Sequence, residues 1–500
     1  MHHFRYKPQG GAVAAGHELT AKAAADVLYA GGNAADAAIA ALLMTWVTEP
    51  CMSSAGGGTF ATVYTHTGKA FFVNGFCQTP RYKRPLSEVE FYPVEVDFGD
   101  AHEVFHIGKG ATGVPGSVAS VFALHQLMGT IPMKELVQPA IQAAKDGVAV
   151  TDFLQFNFEL LDPIMRASAT SRDLFFKQGL SLKQGDHFYM PELADFMDYL
   201  ACEGQAAFYR GEVANRIATD YQQGGYLTLK DLENYQVQMA QPLRFPYRDR
   251  TVLTTPYPGI GGAIIGLTLG FLEQMFDSCL PYQSSDYIRQ LHRVFEQVDA
   301  LGKQPDALHR AVQAWQRQHW GSTTHFSIAD RQGNAISLTT TNGEGSGYFV
   351  PGTGVHLNNM LGEKALLPEG FHSWQPNARL TSMMAPTIVL DAQQRPEIVI
   401  GTGGAGRIAF AISQVLHLLI DHGLSLLDAI HAPRVHLGHH ILHLEAGFDD
   451  LLSASEVSQT LKRWSGQSMF FGGINALKRQ QGEHWDAIGD ERRKGVGYIL

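Results

Sequence analysis

Thr323 and Thr341 bracket the stretch TTHFSIADRQGNAISLTTT, whose two halves alternate in hydrophobicity around Arg331-Gln332-Gly333. The pattern predicts a β-hairpin with a three-residue loop, Gly333 taking the left-handed position. Setting Asp330 opposite Asn334 fixes the register. Phe326 then faces Leu338 and Ile328 faces Ile336 on an apolar face, while Ser327 faces Ser337, His325 faces Thr339 and Thr323 faces Thr341 on a polar one. Directly opposed residues hold their Cβ atoms about 4.5–5.5 Å apart, so the two threonine hydroxyls can meet. A hydroxyl is a weak nucleophile until a base takes its proton. A threonine that begins a chain carries that base as its own α-amine, with a reference pKa of roughly 8. That chemistry requires a cut before Thr323. On the residues alone an ordinary hairpin explains the threonines more readily, because Thr favours strands in any case.

The elements that must hold this hairpin can be read around it. Residues 17–30 and 33–47 are Ala-rich with helical periodicity, split by Gly31-Gly32, the second capped by Asn33. Strands are expected at 59–65, 70–74, 323–330, 335–341, 385–391, 396–400 and 433–445. Helices are expected at 117–128, 133–146, 190–203, 263–275, 285–300, 407–420 and 424–431, with a short one inside 226–235. Strands in runs and helices in runs fit layered α/β packing rather than alternating βαβ units. The 52 glycines cluster at 31–32, 56–58, 259–262, 343–347 and 401–406, where loops would approach one another or a ligand closely.

Composition narrows the function. The chain has 500 residues, 45% hydrophobic and 17% charged, with a net charge of −10. A large core can be buried, and the acidic balance argues against nucleic acid or an anionic membrane surface as partner. The length suggests about three domains, or one large layered fold. Cys51, Cys77, Cys202 and Cys279 match no zinc or redox spacing and read as free thiols in a reducing compartment. The N-terminal MHHFRYKPQGG lacks a signal-peptide core, and the apolar run Ala37 to Val47 is too short for a membrane span. A soluble, cytoplasmic protein is the expectation.

Two rival chemistries fit parts of the sequence. GTGGAG (401–406) follows a strand and precedes a helix, as a dinucleotide fingerprint would, but the acidic residue about 20 positions on, Asp421, ends a helix and not a second strand. His439, His440, His443 and Glu445 could hold a metal, yet no flanking Cys or helical His pair accompanies them, so a solvated or interface strand is preferred and no metal is expected. His325 shares a face with Thr323 and reads as a structural hydrogen-bond partner.

The stretch STTHFSIADRQGNAISLTTT resembles the start of the small subunit of γ-glutamyltransferases (γ-glutamyltranspeptidases). GGNAADAAIA, EPCMSSAGGGTF, TGVPGSVAS, LTLKDLENY, PYPGIGG, HLNNM, RLTSMMAPTIVL, IGTGGAGRI, HAPRVHL and DERRKGVGY extend the resemblance over nearly the whole chain, in order. The resemblance implies an αββα sandwich of the N-terminal-nucleophile hydrolase class, cut between Ser322 and Thr323 into portions 1–322 and 323–500 of one interwoven fold. It implies Thr323 as nucleophile, Thr341 as supporting hydroxyl, and the backbone N–H groups of Gly404 and Ala405 as oxyanion hole. An alanine at 405 keeps its N–H donor if the local dihedrals allow it. Ser382 matches a substrate serine, and Glu363 stands where an aspartate holds the substrate's α-ammonium. Asn342 and Asn359 complete the expected binding set.

The departures bear on substrate. Phe76, in NGFCQTP, stands in place of the family's carboxylate-binding arginine. Met383 replaces the second substrate serine and Met360 a glutamine. The stretch between Asn359 and Arg379 is short, so the lid is expected to be missing. Arg81 or Arg84 could supply a displaced guanidinium. The reading is an amidohydrolase for a γ-glutamyl or related small-molecule amide, needing no cofactor, with a non-γ-glutamyl acylase as the alternative. Its two portions come from one precursor, with room for a higher oligomer. An inactive relative or a nucleotide-binding protein ranks lower.

Overall fold

The computed structural model describes residues 10–97, 102–277, 280–301, 322–367, 369–438, 440–448, 451–453, 456–480 and 484–500. Thirteen strands build its two large sheets: β1 (Gly11–Ala15), β2 (Gly58–Tyr64), β3 (Ala70–Gly75), β4 (Gln238–Ala240), β5 (Leu243–Tyr247), β6 (Arg250–Thr254), β7 (Thr324–Asp330), β8 (Ala335–Thr341), β9 (Thr387–Leu390), β10 (Pro396–Gly403), β11 (Gly473–Arg479), β12 (Trp485–Gly489) and β13 (Val496–Ile499). The first sheet runs β4-β3-β2-β8-β7-β1-β13 and the second β5-β6-β9-β10-β11-β12. All of these pairings are antiparallel.

The hairpin β7–β8 takes the expected register, with Phe326 opposite Leu338, Ser327 opposite Ser337 and His325 opposite Thr339. Gly333 has φ 93°, as its loop requires. The loop is locked by Asp330. Its carboxylate accepts from the N–H groups of Gln332 and Asn334, from Asn334 Nδ2, and from the N–H of Ala34. The last bond ties the turn to the start of α2 (Ala34–Thr48), where Asn33 and Asp36 form a capping box.

Both faces of the hairpin are buried, which corrects the picture of an ordinary polar outer face. Phe326, Ile328, Ile336 and Leu338 pack under α1 (Glu18–Tyr29) and α2. The polar face meets the second sheet: Ser327 Oγ donates to Asn475 O and Ser337 Oγ to Ile400 O. Small residues let the sheets approach; Ala12, Ala14, Ala329 and Ala335 meet Ile388, Val399 and Leu477. The other side of the second sheet packs Ile398, Ile400 and Ile474 against α3 (Gly261–Met275), α4 (Ser285–Leu301) and α5 (Ile408–Ile420). The arrangement is a layered α/β fold.

One expected helix differs, and two other expected elements gain their detail. Residues 133–146 form two helices, Met133–Leu136 and Gln138–Asp146, because Pro139 sits in the first turn of the second and cannot continue the first. The short helix expected inside 226–235 is Leu229–Glu233, started by a Thr228/Asp231 capping box. The strands expected over 433–445 form a hairpin, Val435–Gly438 and Ile441–Leu444, turning where His440 takes φ 59°. His439 and Cys279 lie outside the described residues. No helix among the described residues is long and apolar enough to cross a membrane.

Candidate active site

Thr323 sits one residue before β7, an interior strand of the first sheet, against the end of β10 of the second, and is only 5% exposed. The carbonyls on either side of residue 323's own N–H are both held. Thr341 Oγ1 donates to Ser322 O at 2.6 Å while accepting from the N–H of Gly343 at 3.0 Å. The Gly343 bond fixes the hydroxyl's lone pair, so its proton must point at the carbonyl. Thr341 thus polarises the Ser322–Thr323 peptide in the uncut chain. The second carbonyl, Thr323 O, accepts from Arg493 Nη1 at 3.0 Å. The N–H of Ser322 donates to Glu344 Oε1 at 3.2 Å.

The turn after β10 passes directly against this point. A Cβ on Gly403 would lie 2.0 Å from Thr323 O, so no side chain fits there. Gly404 has φ 127° and Ala405 φ 47°. Alanine is therefore accommodated at 405, but in the left-handed region, at a cost of about 1–2 kcal/mol. This turn is not a nucleotide loop: β10 lies between two antiparallel neighbours, whereas a dinucleotide fold needs parallel strands around the crossover. Asp421 is spent on Arg248, His417 and Tyr247.

A cavity beside Thr323 is lined by Gly16, Glu49, Met52, Thr324 and Arg493. Glu49 follows α2, is 2% exposed, and accepts from Thr324 Oγ1 at 2.7 Å. Burial pushes its pKa up to about 7, against the pull of the Thr324 and Thr20 hydroxyls and the Arg493 guanidinium. Burial likewise lowers Arg493 to about 10, partly offset by Asp490 and Glu49. His325 is buried with Nδ1 2.9 Å from Thr339 Oγ1 and Nε2 3.0 Å from Ser327 Oγ, and desolvation lowers its pKa to about 3. It is a neutral structural group. Glu49, Arg493 and Glu344 were not singled out from the sequence. Two of them lie in the quoted motifs EPCMSSAGGGTF and DERRKGVGY; a lone charge in an apolar run was the available signal for Glu49, whereas Arg493 is one of five consecutive charged residues and nothing local marks it out.

The expected substrate residues divide into two groups. Asn342, Asn359 and Glu363 gather beside Thr341: a Cβ on Gly343 would lie 2.1 Å from Asn359 Oδ1 and 2.2 Å from Glu363 Oε1. Asn359 Oδ1 also accepts from the N–H of Glu344. Ser382 Oγ is turned to its own chain, accepting from the N–H of Met384. Phe76 is 1% exposed in an apolar cluster with Phe60, Phe72, Met360 and Met384, whereas Met383 belongs to the core under α3. Among the described residues no arginine side chain takes the place of the one missing at 76. The N–H of Arg81 donates to Asp231 and its guanidinium lies 3.9 Å from that carboxylate, Arg84 donates to Gln222 O, and Arg379 donates to Phe76 O, Tyr235 Oη and Gln236 O. The short 360–378 segment folds down, placing Leu366, Leu367 and Trp374 in the Phe76 cluster. Among the rival metal candidates, His443 accepts from Trp464 Nε1 and lies tilted against the Phe470 ring. No group of three or more metal-ligating side chains occurs among the described residues.

Comparison with known proteins agrees with this geometry. The gamma-glutamyltranspeptidase family profile matches residues 20–304 and 297–500. The chain is 31% identical to a glutathione hydrolase proenzyme of Pseudomonas aeruginosa, over 98% of this chain and 95% of that one. It is 29% identical to an acylase ACY 1 proenzyme of a Pseudomonas species, over 93% and 89%. In fold it matches the cephalosporin acylase of Bacillus halodurans with a TM-score of 0.80 at 24% identity, covering 100% of this chain and 98% of that one. With a family profile spanning almost its full length and the threonine hairpin at the junction of two sheets, the chain belongs to the gamma-glutamyltranspeptidase family.

Proposed function

We propose that the chain is an amidohydrolase made as a precursor, cut at Ser322–Thr323 into portions 1–322 and 323–500, and that its layers form the full αββα sandwich of the N-terminal-nucleophile class. The observation that carries the reading is the Thr341 Oγ1 bond to Ser322 O, 2.6 Å, on the carbonyl that must be attacked. In maturation, Thr323 Oγ bonds to the Ser322 carbonyl carbon, the Ser322–Thr323 C–N bond breaks, and the hydroxyl proton ends on the new α-amine. Water then hydrolyses the ester. In turnover the freed α-amine takes the Thr323 hydroxyl proton, the oxygen attacks the substrate amide, and the N–H groups of Gly404 and Ala405 receive the oxyanion. The leaving amine departs with the proton, and water or an acceptor amine releases the acyl group. Placement in the cytoplasm is part of this proposal and rests on the sparse cysteines.

Between γ-glutamyl amides and other acyl amides, the residues favour the second. A buried substrate carboxylate needs a charge-assisted partner. Position 76 offers a phenyl ring packed on Phe60, and the arginines nearby in sequence are engaged elsewhere. Relatives of both kinds exist, one named glutathione hydrolase and one acylase. The test is intact-mass analysis of the cleaved protein incubated with a panel of amides. An acyl group on the 323–500 fragment, mapped to its first residue, is expected; turnover with no adduct at Thr323 under acid quench contradicts the assignment.

A further inference from the structure

Resting on that reading, we infer that Glu49 is the base for self-cleavage, taking the Thr323 hydroxyl proton through one water held between them. The cut poses a problem that turnover does not. In the uncut chain the nitrogen of Thr323 is a peptide N–H, so the α-amine that serves as base afterwards does not yet exist. A threonine hydroxyl attacks poorly until a base takes its proton. Another group must do so once, before the bond breaks.

The cavity beside Thr323 supplies that group. Its volume is about 10 Å³, the room of one water, and Thr323, Glu49, Arg493 and Asn475 all line it. Arg493 Nε and Asn475 Oδ1 are buried atoms with no hydrogen-bond partner among the described residues, on residues 5% and 3% exposed. A donor and an acceptor left bare in this way are costly, and a water between them satisfies both. Such a water receives the Arg493 Nε–H, gives one proton to Asn475 Oδ1 and the other to the Glu49 carboxylate, and accepts from the Thr323 hydroxyl with its remaining lone pair. Its protons then point away from Thr323, as proton transfer from the hydroxyl requires. In the step, the hydroxyl proton passes to this water while a water proton passes to Glu49, and Thr323 Oγ bonds to the Ser322 carbonyl carbon, whose oxygen Thr341 holds. The proton returns through the water to the Thr323 nitrogen as the Ser322–Thr323 C–N bond breaks, so Glu49 ends ionised, as it began.

The surroundings of Glu49 suit the task. Its Oε1 accepts from Thr324 Oγ1 at 2.7 Å, on the residue next to the nucleophile. Of the other titratable groups lining the cavity, burial holds His325 at about 3 and Arg493 at about 10, with Asp490 acting on the latter. In the segments leading into α1 and out of α2, burial holds His17 at about 4 and Cys51 at about 12. Among these groups Glu49, at about 7, is the one that changes charge near neutrality.

The test follows cutting of the full chain made by cell-free synthesis, sampled over time between about pH 5 and about pH 8, where a base with the Glu49 pKa changes charge. A base must be ionised, so the wild-type rate is expected to rise by about tenfold per pH unit below about 7 and to level off above it. Glu49→Gln should cut at least about a hundredfold more slowly and without that rise, and Glu49→Asp should recover part of the rate. Once cut, the Gln protein has its α-amine, so its loss in turnover should be smaller than its loss in cutting by at least about tenfold; a merely structural role would lower both alike. Glu49→Gln cutting at the wild-type rate, keeping the pH rise, or losing cutting and turnover equally overturns the inference. If Glu49→Gln does not fold, the wild-type profile decides, and a rate flat across this range overturns it. A folded wild type that never cuts overturns this inference together with the Thr323 reading; cutting before Thr323 that ignores Glu49 overturns this inference alone.

Discussion

At the scale of residues, the Thr341 hydroxyl has two bonds and two consequences. Thr341→Val keeps the shape, removes the donor to Ser322 O, and leaves the Gly343 N–H without its acceptor. Loss of one donor to a reacting carbonyl costs on the order of a hundredfold, so both self-cleavage and turnover should slow by about that factor. The stranded N–H adds a stability loss of about 1–3 kcal/mol, visible as a lower denaturant midpoint. A Val variant that matures and turns over at the wild-type rate would remove Thr341 from the chemistry. Glu49 gives a pH signature. Its pKa is raised from 4.5 to about 7 in the folded protein, so the folded state holds a proton the unfolded state has lost between those values. Stability must therefore fall as pH rises from about 4.5 to about 7, by an amount on the order of 3 kcal/mol. Glu49→Gln should abolish that part of the slope in urea titrations. The placing of the two threonines near each other was legible from strand spacing and a three-residue loop, but not the bond made: the Thr341 hydroxyl turns to Ser322 O and not to the Thr323 hydroxyl. Glu49 and Arg493 were not legible, since nothing local brings the end of α2 or a C-terminal loop to Thr323.

At the scale of elements, the hairpin turn is anchored to a helix nearly 300 residues earlier in the chain. Asp330 accepts four donors, one of them the first N–H of α2. Asp330→Ala strands these donors in a buried site and should cost about 3 kcal/mol or more, lowering the urea midpoint with little change in its slope. Asp330→Asn should recover part of the loss, and an Ala variant as stable as wild type would show that the turn does not fasten α2. The register of β7–β8 followed from sequence because two apolar pairs and a glycine loop admit one alignment. Strand β1, GAVAA, could not be found this way. It is buried on both faces between the helices and the second sheet, so it shows no alternation. The break at Pro139 is a local signal that an unbroken apolar period obscured.

At the scale of the molecule, the proposed cut would leave two chains that cannot drift apart. Strand β7 pairs with β1, β8 with β2, and β9 with β6, each pair joining residues before 322 to residues after it. Layered α/β packing was legible from runs of strands and runs of helices; the interleaving of the two portions was not, because strand order within a sheet is set by contacts far apart in sequence. The fragments should therefore co-purify in native buffer and separate only in denaturant. The central claim, that Thr323 cuts its own chain and then serves as the nucleophile, is tested most directly by the intact mass of the purified protein beside its Thr323→Ala variant. The account predicts fragments 1–322 and 323–500 for the wild type, the second beginning with Thr323, and a single full-length chain for the variant. A folded wild type that stays in one piece, or a Thr323→Ala protein cut at the same bond, would contradict it.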